Sequence, residues 1–302
     1  ILHHAMVCDE RDENTSVGTA LISVYDKFYS FHDAKKTFQR ITEQDVVSWT
    51  ALLATFKHLE HDKEALDLFY EMQLGGFHPN SVTFICVLDA CGCLAAYEEG
   101  KEVHNAILNC GCNDDEIVIN ALINMYGKCG SITKAKDVFD KMWQRDIVLC
   151  NAIISAFAQS GDILEAIYVF LEMELYGIKP DTITYISILT VCSHTGETDL
   201  AIHCFGSMTK NHSITQSDDH CVCMVDILGR AGRLGDAEAF IKCKSMENCV
   251  LVWLALLGAC RMHGDMQKGM HAAKKCLETK PENTAAYVVL SNIYVESAIL
   301  AD

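Results

Sequence analysis

Residues 116–181 read EIVINALINMYGKCGSITKAKDVFDKMWQRD and then IVLCNAIISAFAQSGDILEAIYVFLEMELYGIKPD, units of 31 and 35 residues with one pattern. Each opens on an apolar stretch with Asn at its fifth place, Asn120 and Asn151. Gly130 and Gly161 hold the fifteenth place, Ala135 and Ala166 the twentieth, Phe139 and Phe170 the twenty-fourth, Met142 and Met173 the twenty-seventh. Asp146 and Asp181 close the units. Two helices, a turn and a polar closing residue make one unit, and a period in the thirties signals a helical solenoid.

The pattern extends in both directions. Residues 15–45 and 46–80 repeat the short and long forms, and 81–115 is a third type with Gly100 and His104 where the others have Ala and Phe. Downstream come 182–217, 218–249, the drifting 250–283, and 284–302 as a broken-off start; 1–14 reads as the tail of a truncated unit. The twentieth place stays small: Ala34, Ala65, Gly100, Ala135, Ala166, Ala201, Ala237, Gly269. Phe38, Phe69, Phe139, Phe170 and Phe205 follow four places later, and Met72, Met142, Met173 and Met208 three after that. Offsets of four and seven share one helix face, so these residues are expected in the core.

Composition agrees with an all-helical array. Half of the 302 residues are apolar, Pro occurs three times, and strand-like alternation is absent. No apolar run reaches the ~18 residues of a membrane helix, so no membrane role is expected. Sixteen Cys without an even framework of spacings fit a reducing compartment. The net charge of −17 argues against indiscriminate nucleic-acid binding.

The first helix of each unit has two faces. In 46–80, Trp49, Leu52, Leu53 and Phe56 are buried by periodicity. The second, fifth, ninth and twelfth or thirteenth places lie on another face. The ninth is mostly small or polar: Ser23, Ala54, Asp89, Asn124, Ser155, Thr190, Asp226. The twelfth or thirteenth often carries a base, Lys27, Lys57, Lys128, Arg230 or Arg261, which either complements the helix dipole or faces a polyanion. Stacked units would align these faces into a groove.

VVSWTALLATF (46–56), EALDLFYEMQLGGFHPN (64–80), ALINMYGKCGSITKAKDVFDKM (121–142) and CMVDILGRAGRLGDAEAF (223–240) resemble pentatricopeptide repeats. The alternation of unit lengths resembles the plant PLS subclass, and VWLALLGACRMHGDMQKG (252–269) followed by AAYVVLSNIY (285–294) is similar to its C-terminal E motifs. The resemblance implies an all-α, right-handed superhelical α-solenoid that binds single-stranded RNA, one base per repeat, in a mitochondrion or chloroplast. It also implies a role in C-to-U editing, with an editing factor or deaminase docking at the E motifs. No cofactor is implied.

In that family the fifth and last residues of a unit face the base edge and the second packs on the base planes. Carried over, Thr19 with Asp45 implies G, Thr50 with Asn80 implies A, and Asn120 with Asp146 and Asn151 with Asp181 each imply U. Ile85/Asp115 and Ile186/Ser217 lack a polar fifth residue, and Val222/Cys249 departs from the pattern. The implied footprint is 5′-G-A-n-U-U-n-n-3′. Val47, Val82, Ile117, Val148 and Ile183 would stack on bases. Capping alone would also explain Asp or Asn before a helix, but not Asn inside one.

Three other patterns invite chemistry. His58-Leu59-Glu60 matches half of a zinc-deaminase motif, but no P-C-x-x-C follows, so no catalytic domain is expected in this chain. The C-x-C pairs Cys91/Cys93, Cys110/Cys112 and Cys221/Cys223 lack zinc-site spacing, and no metal site is expected. Cys91, Cys192 and Cys260 share the eleventh place and read as small core residues. The rival reading is a protein-binding scaffold of the tetratricopeptide kind, which the acidic charge favours and the unit lengths disfavour.

Overall fold

The computed structural model describes residues 14–299, and among them it contains seventeen α-helices and no strand. They pair as α1 (Thr15–Lys27) with α2 (Phe31–Arg40), α3 (Val46–His58) with α4 (Asp62–Leu74), and α5 (Ser81–Leu94) with α6 (Tyr97–Cys110). Next come α7 (Glu116–Lys128) with α8 (Ile132–Asp140) and α9 (Ile147–Ser160) with α10 (Ile163–Leu175). Then follow α11 (Thr182–Thr195) with α12 (Thr198–His212), α13 (Asp218–Arg230) with α14 (Leu234–Cys243), α15 (Val250–Met262) with α16 (Met266–Thr279), and α17 (Thr284–Ile299). The expected tail at 1–14 lies, apart from Asn14, outside the described residues; Asn14 N-caps α1. The chain divides into two compact units, Ile1–Ala156 and Phe157–Asp302.

Every first helix starts on the residue that opens its sequence unit, and in most units the side chain before it caps it, although Cys249 before α15 makes no such bond. Asp45 accepts from the Ser48 amide at 2.8 Å, Asn80 from Thr83 at 2.9 Å, Asp146 from Leu149 at 2.8 Å and Asp181 from Thr184 at 2.9 Å. Asp115 takes the Ile117 amide at 3.0 Å. Ser48, Thr83 and Thr184 return bonds to the cap amides, closing capping boxes. Each cap contributes about 1 kcal/mol.

The fifteenth place of each unit is the turn. All eight such residues have positive φ: Tyr29, Glu60 and Ala95 at 51–60°, and Gly130, Gly161, Gly196, Gly232 and Gly264 at 67–78°. Left-handed backbone costs a side-chain-bearing residue about 1–2 kcal/mol, which accounts for the Gly bias and leaves three units strained.

The second helices α2, α4, α6, α12, α14 and α16 pack on their own first helix and on the next one. At the twentieth place Ala34, Ala65, Ala135, Ala166, Ala201 and Ala237 are fully sealed from solvent. Where that place is Gly, a neighbour fills it: a Cβ on Gly100 would stand 2.5 Å from Met125 Sδ, and one on Gly269 2.9 Å from Ile293 Cδ1. Phe38, Phe69, Phe139, Phe170 and Phe205, with Met72, Met173 and Met208, are buried around them. Met142 differs and is only half-buried, because α8 stops at Asp140. Cys91, Cys192 and Cys260 are fully buried, and burial pushes their thiols up to about 12, 12 and 11.

Candidate nucleic-acid interface

The second place is the apolar position that recurs in solvent from one first helix to the next. Val47, Val82, Ile117 and Val148 are 53–65% exposed in the first unit, and Ile183 and Leu251 are 58% and 56% exposed in the second. Burying a Val or Ile side chain is worth about 1.5–3 kcal/mol, so a recurrent exposed one has no folding rationale.

The fifth place is more enclosed than the sequence suggests. Thr50 and Asn151 are 9% and 8% exposed, while Thr19 and Asn120 are half-buried. The difference arises because successive first helices approach closely along this face. A Cβ on Gly127 would lie 2.8 Å from Ala156 Cβ, and one on Gly229 2.6 Å from Ala259 Cβ. The fifth residue therefore sits in the seam between neighbours. Thr19 and Thr50 each donate to the carbonyl four residues back, at 2.7 Å.

The seam also joins the two ends of one unit. Thr50 Oγ1 lies 2.9 Å from Thr83 Oγ1, which lies 3.0 Å from Asn80 Oδ1. Thr83, the third residue of the next unit, thus couples the fifth and last residues of 46–80. Asn120 differs: its Oδ1 is sealed from solvent and has no hydrogen-bond partner. The last residues Asp45, Asn80 and Asp146 are exposed, and Asp115 and Asp181 half-buried.

The cations are arranged differently from the sequence expectation. Lys57 Nζ lies 2.7 Å from Asp89 Oδ2 and Lys128 Nζ 2.9 Å from Asp89 Oδ1, so one carboxylate ties α3, α5 and α7 together. Burial disfavours the charged Asp89, but the hydrogen bonds from Lys57 and Lys128 outweigh it and hold its carboxyl below the usual range. The same hydrogen bonds raise both ammoniums. Arg230 Nε lies 2.8 Å from Asp226 Oδ2, an oxygen that also takes Ser193 Oγ at 2.5 Å. These three bases are thus already matched, Lys57 and Lys128 by a carboxylate of the adjacent helix and Arg230 by one a turn earlier in its own. Lys27 is exposed in the last turn of α1, and Arg261 in that of α15. Asp89 holds a ninth place that the sequence marks only as small or polar, and it is the residue that gathers both lysines.

His58 ends α3 with its Nδ1 2.9 Å from Asp26 Oδ1, while Glu60 stands in the turn beyond. No group of three His, Cys, Asp or Glu among the described residues could hold a metal ion. No helix among them is long and apolar enough to cross a membrane.

Known proteins share this arrangement. The PPR repeat family profile matches residues 44–93 and 145–194, and the single PPR repeat profile matches 117–147 and 183–213. A mitochondrial pentatricopeptide repeat-containing protein of Arabidopsis thaliana is 34% identical over 95% of this chain and 52% of its own length. The chloroplastic CRR2 of the same plant is 38% identical over 92% of this chain and 43% of its own. The chain therefore spans about half, or less, of these relatives. The crystal structure of PPR10 in complex with an 18-nt psaJ RNA element superposes with a TM-score of 0.77 at 16% identity, covering 94% of this chain and 43% of that one. PPR10 from maize gives a TM-score of 0.60 at 18% identity over 91% of this chain and 46% of that one. From the repeating helix pair, its capped starts and left-handed turns, and these relatives, the chain belongs to the pentatricopeptide repeat family.

Proposed function

We propose that this chain binds single-stranded RNA sequence-specifically, one base per repeat, with the footprint 5′-G-A-n-U-U-n-n-3′. The observation that carries the reading is the exposed apolar second place beside a polar fifth and last residue. Val47, Val82, Ile117, Val148 and Ile183 offer surfaces for base planes, and unstacked bases bury such surfaces. Thr19 and Asp45, Thr50 and Asn80, Asn120 and Asp146, and Asn151 and Asp181 supply the edge contacts. PPR10, of the same fold, holds RNA in its crystal structure, which supports the assignment.

Lys27, and Lys57, Lys128 and Arg230 once released from their carboxylates, would meet the phosphates. The organelle is a mitochondrion or chloroplast, as in the names of two relatives. The stretch 250–302 resembles E motifs, and its role is to dock an editing factor or deaminase for C-to-U editing.

Binding of oligonucleotides varied one base at a time tests the reading. Asn151→Thr should move the preference at the second U toward G, and an unchanged preference would refute the assignment. Deleting 250–302 should spare binding and remove editing. The second reading, a protein-binding scaffold, draws on the net charge of −17 and on α10, where Leu164, Leu171 and Leu175 are 54–81% exposed. Equal affinity for the footprint and a scrambled RNA would favour it.

A further inference from the structure

We infer that Asp89 is a built-in competitor for the RNA backbone, an intramolecular stand-in for a phosphate that sets how indiscriminately this chain binds polyanions. The inference rests on the RNA-binding reading above. Lys57 and Lys128 come from helices on either side of α5, and both ammoniums converge on one carboxylate, at 2.7 and 2.9 Å. The site is shaped for this. Gly92 lies one turn beyond Asp89, and a Cβ there would stand 2.9 Å from Lys128 Cδ, so the absence of a side chain gives the Lys128 stem room to cross α5 and reach the acid. Both lysines remain partly in solvent, at 42% and 38% side-chain exposure, within reach of a competing anion.

The ninth place carries Ser, Ala, Asn or Thr in the other units up to Thr190, so an acid is not needed for packing there. Its unit, 81–115, has Ile85 at the fifth place and adds no polar contact to a base edge. The three groups carry a net charge of +1 with Asp89 present and +2 without it. A phosphodiester must therefore displace the carboxylate to use the two ammoniums. The exchange penalises every strand equally, and only the fifth and last residues of the flanking units repay it. Asp89 thus lowers affinity for all RNA and leaves the sequence-dependent part as the deciding share.

The test compares wild type with Asp89→Asn and with Asp89→Ser, the residue found at this place in α1 and α9. Each is titrated with the footprint RNA and with a 12-nt oligoadenylate between 0.05 and 0.5 M KCl. Freeing two lysines should steepen the slope of log affinity against log salt by about 1.4, roughly 0.7 per phosphate on a single strand. That corresponds to at most about 25-fold tighter binding at 0.1 M, fading toward 1 M, on both RNAs. The same substitutions in a Lys57→Gln/Lys128→Gln background should change neither slope nor affinity. An unchanged slope in both Asp89 variants, in protein that melts cooperatively, overturns the inference. An equal gain in the lysine-free background also overturns it, since net charge alone would then be acting. Wild type that prefers its footprint while the Asp89 variants leave the slope unmoved sinks this inference and spares the RNA reading. Binding of neither RNA by any variant sinks both.

Discussion

Asn120→Leu should make the RNA-free protein more stable and the RNA complex weaker. The side chain sits half-buried in α7 with its Oδ1 sealed from solvent and unpartnered. A buried acceptor without a donor costs about 1–3 kcal/mol. Leu has a similar branched shape, places no polar atom there, and favours the helix by about 0.5 kcal/mol over Asn. Allowing for imperfect packing, the gain is about 1–2 kcal/mol, or roughly 3–6 °C in melting temperature for a cooperative unit of 150–250 residues. The same change removes one edge contact, so RNA with U at that position should bind about tenfold more weakly, the equivalent of 1.4 kcal/mol. Thermal unfolding by circular dichroism and fluorescence anisotropy with labelled oligonucleotides measure the two effects on one preparation. A lower melting temperature would mean that Asn120 is held for packing, and its assignment as a base-facing residue would lose its physical basis.

Three further outcomes follow from the repeat geometry. Glu60→Gly should stabilise by about 0.5–1 kcal/mol, because Glu60 holds a left-handed turn at φ 60°, whereas Gly130→Ala at φ 73° should destabilise by a similar amount; urea midpoints would register both. Gly229→Val should cost about 2–3 kcal/mol, since a Cβ there meets Ala259 Cβ at 2.6 Å, and Ala259→Gly should restore part of the loss. Stability should fall as the pH drops below about 6.5. Burial holds His104 and His220 below the ordinary imidazole range, so the unfolded chain takes up protons before the folded one does. Neutral His220 accepts the Ser217 amide on Nδ1 and donates to the Thr182 carbonyl from Nε2 at 3.2 Å, and protonation breaks the first of these bonds. Each His accounts for up to about 1.4 kcal/mol per pH unit between its unfolded and folded values. A His104→Gln/His220→Asn variant should show a flatter pH profile of urea midpoints.

Much of the architecture was legible from local chemistry. An Asp or Asn before an apolar run caps a helix wherever it stands, so Asp45, Asn80, Asp115, Asp146 and Asp181 place helix starts without reference to any neighbour. The fifteenth place needs left-handed backbone, which the sequence signals by Gly in five units and hides behind Tyr29, Glu60 and Ala95 in three. The exposed second place was readable because Val47 and Ile117 lie off the apolar stripe of helices whose other apolar residues share a face.

The sequence by itself determined the unit, its length, its capped start, its turn and its small-residue core line, because each depends on residues within a few turns of one another. Only the tertiary structure decided what the polar seam does. Lys57, Asp89 and Lys128 meet although 32 and 39 residues separate them, and Thr50 reaches Thr83 across two helices. Which side chain fills the space between adjacent first helices depends on the distance between their backbones, set where Gly127 meets Ala156 and Gly229 meets Ala259. Periodicity along one helix carries no record of that distance, so a lysine that reads as an open cation can close on a carboxylate of the next repeat.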